Sequence, residues 1–195
     1  MASGSLATNK LSDRCRRPIA RLLRLLIDDW QEQWQEGEFP LYIVQIANSL
    51  RPSDEANAVS RWAAPREAQR TTAAGTPNCG LAVTIDLGEA DHIHLVRKRE
   101  VGHRFAPLAL TKTYGRAIES SGPSFRSFTI EGCRIRMQFD HARGLTARGG
   151  ALEGFAMAGA DHRFVHAQAE IDNVSVVVSS PQVLKPIAVR YAWGR

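Results

Sequence analysis

The sequence predicts an α/β fold in which a parallel-sheet region is followed by an antiparallel β-sandwich, and three observations carry that expectation. Apolar residues between positions 19 and 34 recur at helical spacing. Two short, almost uninterrupted apolar runs, 39–48 and 80–87, have the character of strands covered on both faces. Beyond residue 120 the helical spacing disappears, and short alternating segments separated by Gly, Pro, Asp and Asn turns take over.

Taken in order, residues 1–17 carry neither periodicity and are expected to be irregular. Ile19, Leu22, Leu23, Leu26, Ile27, Trp30 and Trp34 then fall at the i, i+3, i+4, i+7 positions of an amphipathic helix, with Pro18 in its first turn and Gly37 past its end. The run from Phe39 to Asn48 predicts a buried strand, and the polar stretch 51–57 a loop. Residues 59–70 have helical composition, but Pro65 is expected to kink or shorten that helix. A second buried strand is predicted over 80–87, bounded by Gly80 and Gly88. Val101, Phe105, Leu108 and Ala109 share one face of a helix within 96–114, with Pro107 expected to bend it and Gly115 to cap it. Alternating helix and strand imply parallel pairing.

Ser120, Ser121, Gly122, Pro123 and Ser124 form a linker by composition. Strands are predicted at 127–130, 134–139, 152–158, 166–171, 174–179 and 187–193. The expected organisation is therefore an irregular segment over 1–17, a partial α/β domain over 18–119 and a β-sandwich over 120–195.

Composition narrows the functional classes. The chain has 195 residues, 44% hydrophobic and 23% charged, which suits a globular protein. No stretch approaches twenty apolar residues, so no membrane span or membrane partner is expected. Residues 1–10 lack the charged start and apolar segment of a secretory signal, and the sequence as written reads as cytoplasmic. The net charge of +5 includes a cluster of Arg14, Arg16, Arg17, Arg21 and Arg24. Acidic residues from Asp28 to Glu38 follow at once and no aromatic interleaves the arginines, so a solvated helix face is expected and no nucleic-acid partner. Cys15, Cys79 and Cys133 are widely spaced and odd in number, which predicts free thiols.

The densest titratable cluster is Asp86, Glu89, Asp91, His92 and His94, just past the second predicted strand, at the edge where open α/β sheets bind ligands. A carboxylate three residues before a histidine can accept a hydrogen bond from the imidazole and fix its tautomer. The other ring nitrogen is then a general base for a serine hydroxyl, which makes Asp91 and His94 the candidate catalytic pair. His92 and His94 could instead open a metal site, but neither Cys79 nor His103 stands at a spacing that commends it as third ligand, so no metal and no cofactor is expected. His103, His141, His162 and His166 are read as ordinary histidines. No Gly-x-Ser-x-Gly occurs, and the Gly4-Ser5 pair has no strand before it, so a nucleophilic serine is expected to be absent from this chain.

The residues from Gly80 to Gly88, Asp91-His92-Ile93-His94, Lys98, Val101-Gly102-His103-Arg104 and Leu108-Ala109-Leu110 resemble the histidine block of sialate O-acetylesterases, which are SGNH-type carbohydrate esterases. The likeness also takes in Leu26-Ile27-Asp28-Asp29-Trp30, Val44-Gln45-Ile46-Ala47-Asn48, Arg66-Glu67-Ala68-Gln69 and Val189-Arg190-Tyr191-Ala192-Trp193, and it runs in order over residues 19–193. The resemblance implies the C-terminal part of an SGNH parallel-sheet domain followed by a β-sandwich. It implies metal-free hydrolysis of acetyl esters on sialic acid or related sugars, with His94 as general base and Asp91 as its partner. The family's nucleophile and oxyanion-hole blocks have no counterpart in residues 1–17, so an incomplete or inactive esterase is expected, with an acetylated sugar or sialic acid as substrate or ligand. Full-length members of the family can be exported. Leu95 stands where the family has Pro, and Pro65 and Pro107 where it has Leu. The other reading is a non-catalytic carbohydrate-binding or structural module. A sheet lacking its neighbouring strands predicts self-association through an exposed edge.

Overall fold

The computed structural model describes residues 10–49, 54–57, 60 and 62–194, with the main chain alone over 10–15. These divide into two compact units, one of residues 10–49 with 62–121, the other of residues 54–57 and 60 with 122–194.

The first unit is α/β. It comprises α1 (Lys10–Trp34), β1 (Leu41–Val44), α2 (Ala63–Gly75), β2 (Cys79–Ala82) and α3 (Lys98–Lys112). β1 and β2 pair in parallel, with Leu41 opposite Cys79 and Val44 opposite Ala82. Side chains alternate across a strand, so each face of the pair has its own neighbours. Ile43 and Cys79 pack with Ala73 of α2 and with Leu23, Leu41 and Leu81. On the other face the Tyr42 ring meets Phe105 of α3 edge-on at 5.4 Å, and its hydroxyl is 2.5 Å from Thr113 Oγ1. Glycine at position 80 makes room for this, since a Cβ there would come within 2.9 Å of the Tyr42 ring.

Three features depart from the sequence reading. Helix α1 begins at Lys10, so residues 10–17 are helical rather than irregular. Lys, Leu and Arg are good helix formers, and a proline removes one hydrogen bond without preventing a helix on its N-terminal side. The rest of the expected irregular segment, residues 1–9, lies outside the described residues, as do residues 50–53, 58, 59 and 61 of the expected loop and helix start. Pro65 does not kink α2, because the helix starts at Ala63 and places Pro65 in the first turn, where its missing N–H has no intrahelical partner to lose. Strand β2 stops at Ala82, well short of Leu87, because Thr84 to Leu87 form a turn closed by Leu87 N–H to Thr84 O at 3.0 Å. Helix α3 continues past Pro107, leaving the His103 carbonyl without its i+4 donor. It ends where Gly115 takes φ +64° and Arg116 N–H reaches Leu110 O at 2.9 Å. No helix among the described residues is long and apolar enough to cross a membrane.

The second unit contains β3 (Ser124–Glu131), β4 (Arg134–Asp140), β5 (Phe155–Ala158), β6 (Val165–His166), β7 (Gln168–Asp172), β8 (Ser175–Ser179) and β9 (Ala188–Tyr191). They form a four-stranded sheet, β3-β4-β8-β7, and a three-stranded sheet, β6-β5-β9, with antiparallel pairing throughout. Gly132 (φ 63°) and Asn173 (φ 55°) supply the left-handed residues of the tight turns between β3 and β4 and between β7 and β8. The expected strand 166–171 is split, since β6 pairs with β5 and β7 with β8, so the chain passes from one sheet to the other at Ala167. Ile135, Met137, Val176 and Val178 of one sheet share a core with Phe155, Met157 and Val189 of the other. On the opposite face of the three-stranded sheet, Ala156, Ala158, Phe164 and Ala188 cluster. The buried Arg190 guanidinium lies 3.4 Å from the Phe164 ring centre, and burial lowers its pKa to about 10.

Candidate functional site

The site expected from the sequence lies in the segment 83–97, which leaves the C-terminal end of β2 and enters α3. Its root is held by contacts that no spacing in the sequence announces. The Thr84 hydroxyl, fully buried, donates to the Gln45 carbonyl just past β1, and Gln45 Nε2 donates to Arg66 O at 3.3 Å. Ile85 and Leu87 are buried and anchor the turn from below.

Gly88 is held against Asn48, its N–H donating to Asn48 Oδ1 at 2.9 Å. The approach is so close that a Cβ on Gly88 would lie 1.9 Å from the Asn48 main-chain oxygen. Only glycine is compatible with that contact, and it ties the loop after β2 to the loop after β1.

Arg104 of α3 makes the third tether. Its guanidinium gives two hydrogen bonds to Asp86, at 2.5 and 2.6 Å, and one to Val83 O at 2.7 Å. The paired fork geometry holds the Asp86 carboxyl below its ordinary range, more than offsetting the partial burial that acts the other way. Asp86, one of the titratable residues of the cluster, is therefore a structural anchor in ion-pair contact with Arg104.

Beyond Gly88 the loop rises into solvent. Glu89 and His92 make a single antiparallel bridge, His92 N–H to Glu89 O at 3.4 Å. Asp91, His92, Ile93 and His94 are all exposed. Asp91 and His94 thus share one loop between a parallel strand and a helix, and no hydrogen bond joins their side chains. Among the described residues neither side chain has a hydrogen bond or ion pair.

The residues considered as a metal set are dispersed. Cys79, the first residue of β2, is buried against Ile43 and Ala73 of α2, where desolvation raises its thiol pKa, and the exposed His103 ring receives a hydrogen bond from Arg99 at 3.4 Å. Among the described residues no group of three or more His, Cys, Asp or Glu side chains is placed to hold a metal ion.

The sequence reading missed Arg104, Asn48 and Gln45 as site-forming residues. Arg104 and Asp86 are eighteen positions apart on different elements, and Asn48 and Gly88 forty apart. The one local sign was Gly88, read as the end of a strand rather than as a point of close approach.

No family model matches the chain, and no curated protein matches it. A solved structure does: a carbohydrate acetylesterase from Xanthomonas citri, 37% identical, with a TM-score of 0.81 over 91% of this chain. The chain spans 41% of the length of that protein. In sequence and in fold, therefore, this mixed α/β chain is similar to rather less than half of a carbohydrate acetylesterase.

Proposed function

We propose that these 195 residues contribute the acid-base part of an SGNH-type carbohydrate O-acetylesterase, with sialic acid or a related acetylated sugar as substrate. The observation that carries the reading is the likeness to the Xanthomonas citri acetylesterase, at 37% identity over 91% of this chain. The loop geometry supports it, because Gly88, Thr84 and Arg104 fix the root of the loop and leave Asp91 and His94 free at the carboxyl edge of the parallel pair. His94 is the general base. Asp91 accepts from its ring once the two side chains are brought together by the bound ester and by the polypeptide that supplies the serine. That serine and the oxyanion donors come from outside these residues. The two antiparallel sheets with their shared core form the sandwich that follows the esterase domain.

A second reading, a carbohydrate-binding or structural module without turnover, is favoured by one observation: Asp91 and His94 are exposed and unconnected.

The deciding experiment replaces the matched portion of the Xanthomonas citri acetylesterase with residues 10–194 of this chain and measures hydrolysis of an aryl acetate. The esterase reading requires a folded chimera that turns over, and a loss of roughly 10²–10⁴-fold in His94→Ala, the range for removing a positioned general base. A folded chimera whose rate is the same with and without His94 would sink this reading and leave the binding module.

A further inference from the structure

Arg190 lies in β9 and is only 5% exposed. Its neighbours on that face of the three-stranded sheet are Ala156, directly opposite on β5, with Ala158 and Ala188, so the sheet offers its side chain no polar group. The guanidinium lies over Phe164, 3.4 Å from the ring centre, and 5.1 Å from the ring centre of Trp193. Its Nε–H is buried without a hydrogen-bond partner, and among the described residues no carboxylate pairs with the group. Arg70, Arg104 and Arg136 are far more exposed, yet each holds a carboxylate at 2.5 to 2.7 Å. A charge taken out of water without a counter-ion is costly, and stacking on aromatic rings offsets only part of that cost.

The walls around Arg190 are held in place. Phe164 N–H donates to Asn57 Oδ1 at 2.7 Å, and His166 Nε2 lies 2.7 Å from Asp54 O, which ties the segment 54–57 to this face with Ala56 against the alanines. Ala192 takes φ 50° and donates to Gly154 O at 2.8 Å, and this left-handed residue turns the half-buried Trp193 toward the guanidinium. A guanidinium whose flat face is covered by a ring presents its N–H groups at the edge, in its own plane. That fork fits a planar acceptor with two oxygens. The single positive charge and apolar surroundings match a carboxylate better than a doubly charged phosphate, whose second charge would be buried unpaired.

We infer that Arg190, walled by Phe164 and Trp193, is a binding site on the β unit for the carboxylate of an acidic sugar. The carboxylate oxygens accept from the edge of the guanidinium, and the sugar ring lies on the exposed part of Trp193. Small-ligand sites commonly combine an aromatic lining with a few oriented polar groups in this way. That a carboxylate is bound rests on Arg190 itself. That it belongs to a sugar rests on the proposed function, in which an acetylated sugar is the substrate.

The test titrates the 195-residue chain with free sialic acid, its neutral methyl ester, acetate and inorganic phosphate, read by calorimetry and tryptophan fluorescence. The expected result is saturable binding of sialic acid that is weaker by roughly tenfold or more for the methyl ester. A similar loss is expected in Arg190→Lys, which keeps the charge but not the fork. Trp193→Ala, at a half-buried turn position, also weakens binding, and thermal melts report whether each variant folds. Wild-type protein that fails to bind sialic acid, or binds acid and ester equally, overturns the inference without recourse to any variant. Acetate or phosphate bound as tightly as sialic acid overturns the choice of a sugar ligand. Hydrolysis is read separately in the His94 chimera: sialic acid bound through Arg190 without turnover there upholds this site and counts against the esterase reading.

Discussion

Gly88→Ala should disable the loop that carries Asp91 and His94, and the structure sets the size of the effect. The added Cβ would sit 1.9 Å from Asn48 O, 2.5 Å from Asn48 Oδ1 and 2.8 Å from the Asn48 carbonyl carbon, whereas ordinary contact begins near 3.4 Å. Main chain must therefore move by about 1.5 Å, which also breaks the hydrogen bond from Gly88 N–H to Asn48 Oδ1. Overpacking of about 1–3 kcal/mol and a lost hydrogen bond of about 1 kcal/mol together give roughly 2–4 kcal/mol. For a unit of roughly 100 residues, each kcal/mol moves the melting temperature by about 4–8 °C, so the α/β unit should melt at least ~8 °C lower. Asn48→Ala alone should cost only the hydrogen bond, about 1 kcal/mol. The double variant discriminates the cause, because the closest clash is with the main-chain oxygen, which Asn48→Ala leaves in place. It should melt as low as Gly88→Ala. A double variant restored to the stability of Asn48→Ala would show that the side chain, not the main chain, excludes the methyl group, and the account of the loop would be wrong.

Two further outcomes follow from the electrostatics. Arg104 holds the Asp86 carboxyl below its ordinary value of 3.8, so the folded chain takes up this proton at lower pH than the unfolded chain. The stabilisation is complete above the unfolded value and is lost as pH falls through the folded one. Urea midpoints of wild type and Asp86→Asn should accordingly differ at neutral pH and converge in acid, and a gap that stays constant would refute the assignment. Cys133 is exposed, whereas Cys79 is buried with its thiol pKa raised by desolvation. Alkylation of the native protein followed by peptide mass mapping should label Cys133 at once and Cys79 only on unfolding, and equal labelling would mean that the α/β core opens readily.

What could be read from the sequence was what one segment decides by itself. The i, i+4 row of Leu22, Leu26, Trp30 and Trp34 marks a helix in any context, and the apolar runs containing Leu41 to Val44 and Leu81 to Ala82 mark covered strands. The turns at Gly132 and Asn173 are equally local, since each needs a left-handed residue between two alternating segments. The candidate loop was found because titratable residues crowd the end of a predicted strand, which is also a one-dimensional signal.

Tertiary structure decided the rest. Strand β2 ends at Ala82 because Thr84 is drawn down to the Gln45 carbonyl, a contact across 39 positions that overrides the β-propensity of Thr84 and Ile85. Asp86 was one carboxylate among several in the sequence and became an anchor only when α3 brought Arg104 against it. The surface of α1 shows the same limit, because periodicity gives an apolar helix but not which of its faces this chain covers. Leu23 and Ile27 go inward, Leu23 against Ile43 of β1 and Ala73 of α2, whereas Leu22 and Leu26 on the other border of the same stripe stay largely in solvent. Spacing along a chain records what neighbours can do for one another, whereas burial and pairing depend on which distant segments arrive, and one-dimensional order does not carry that information.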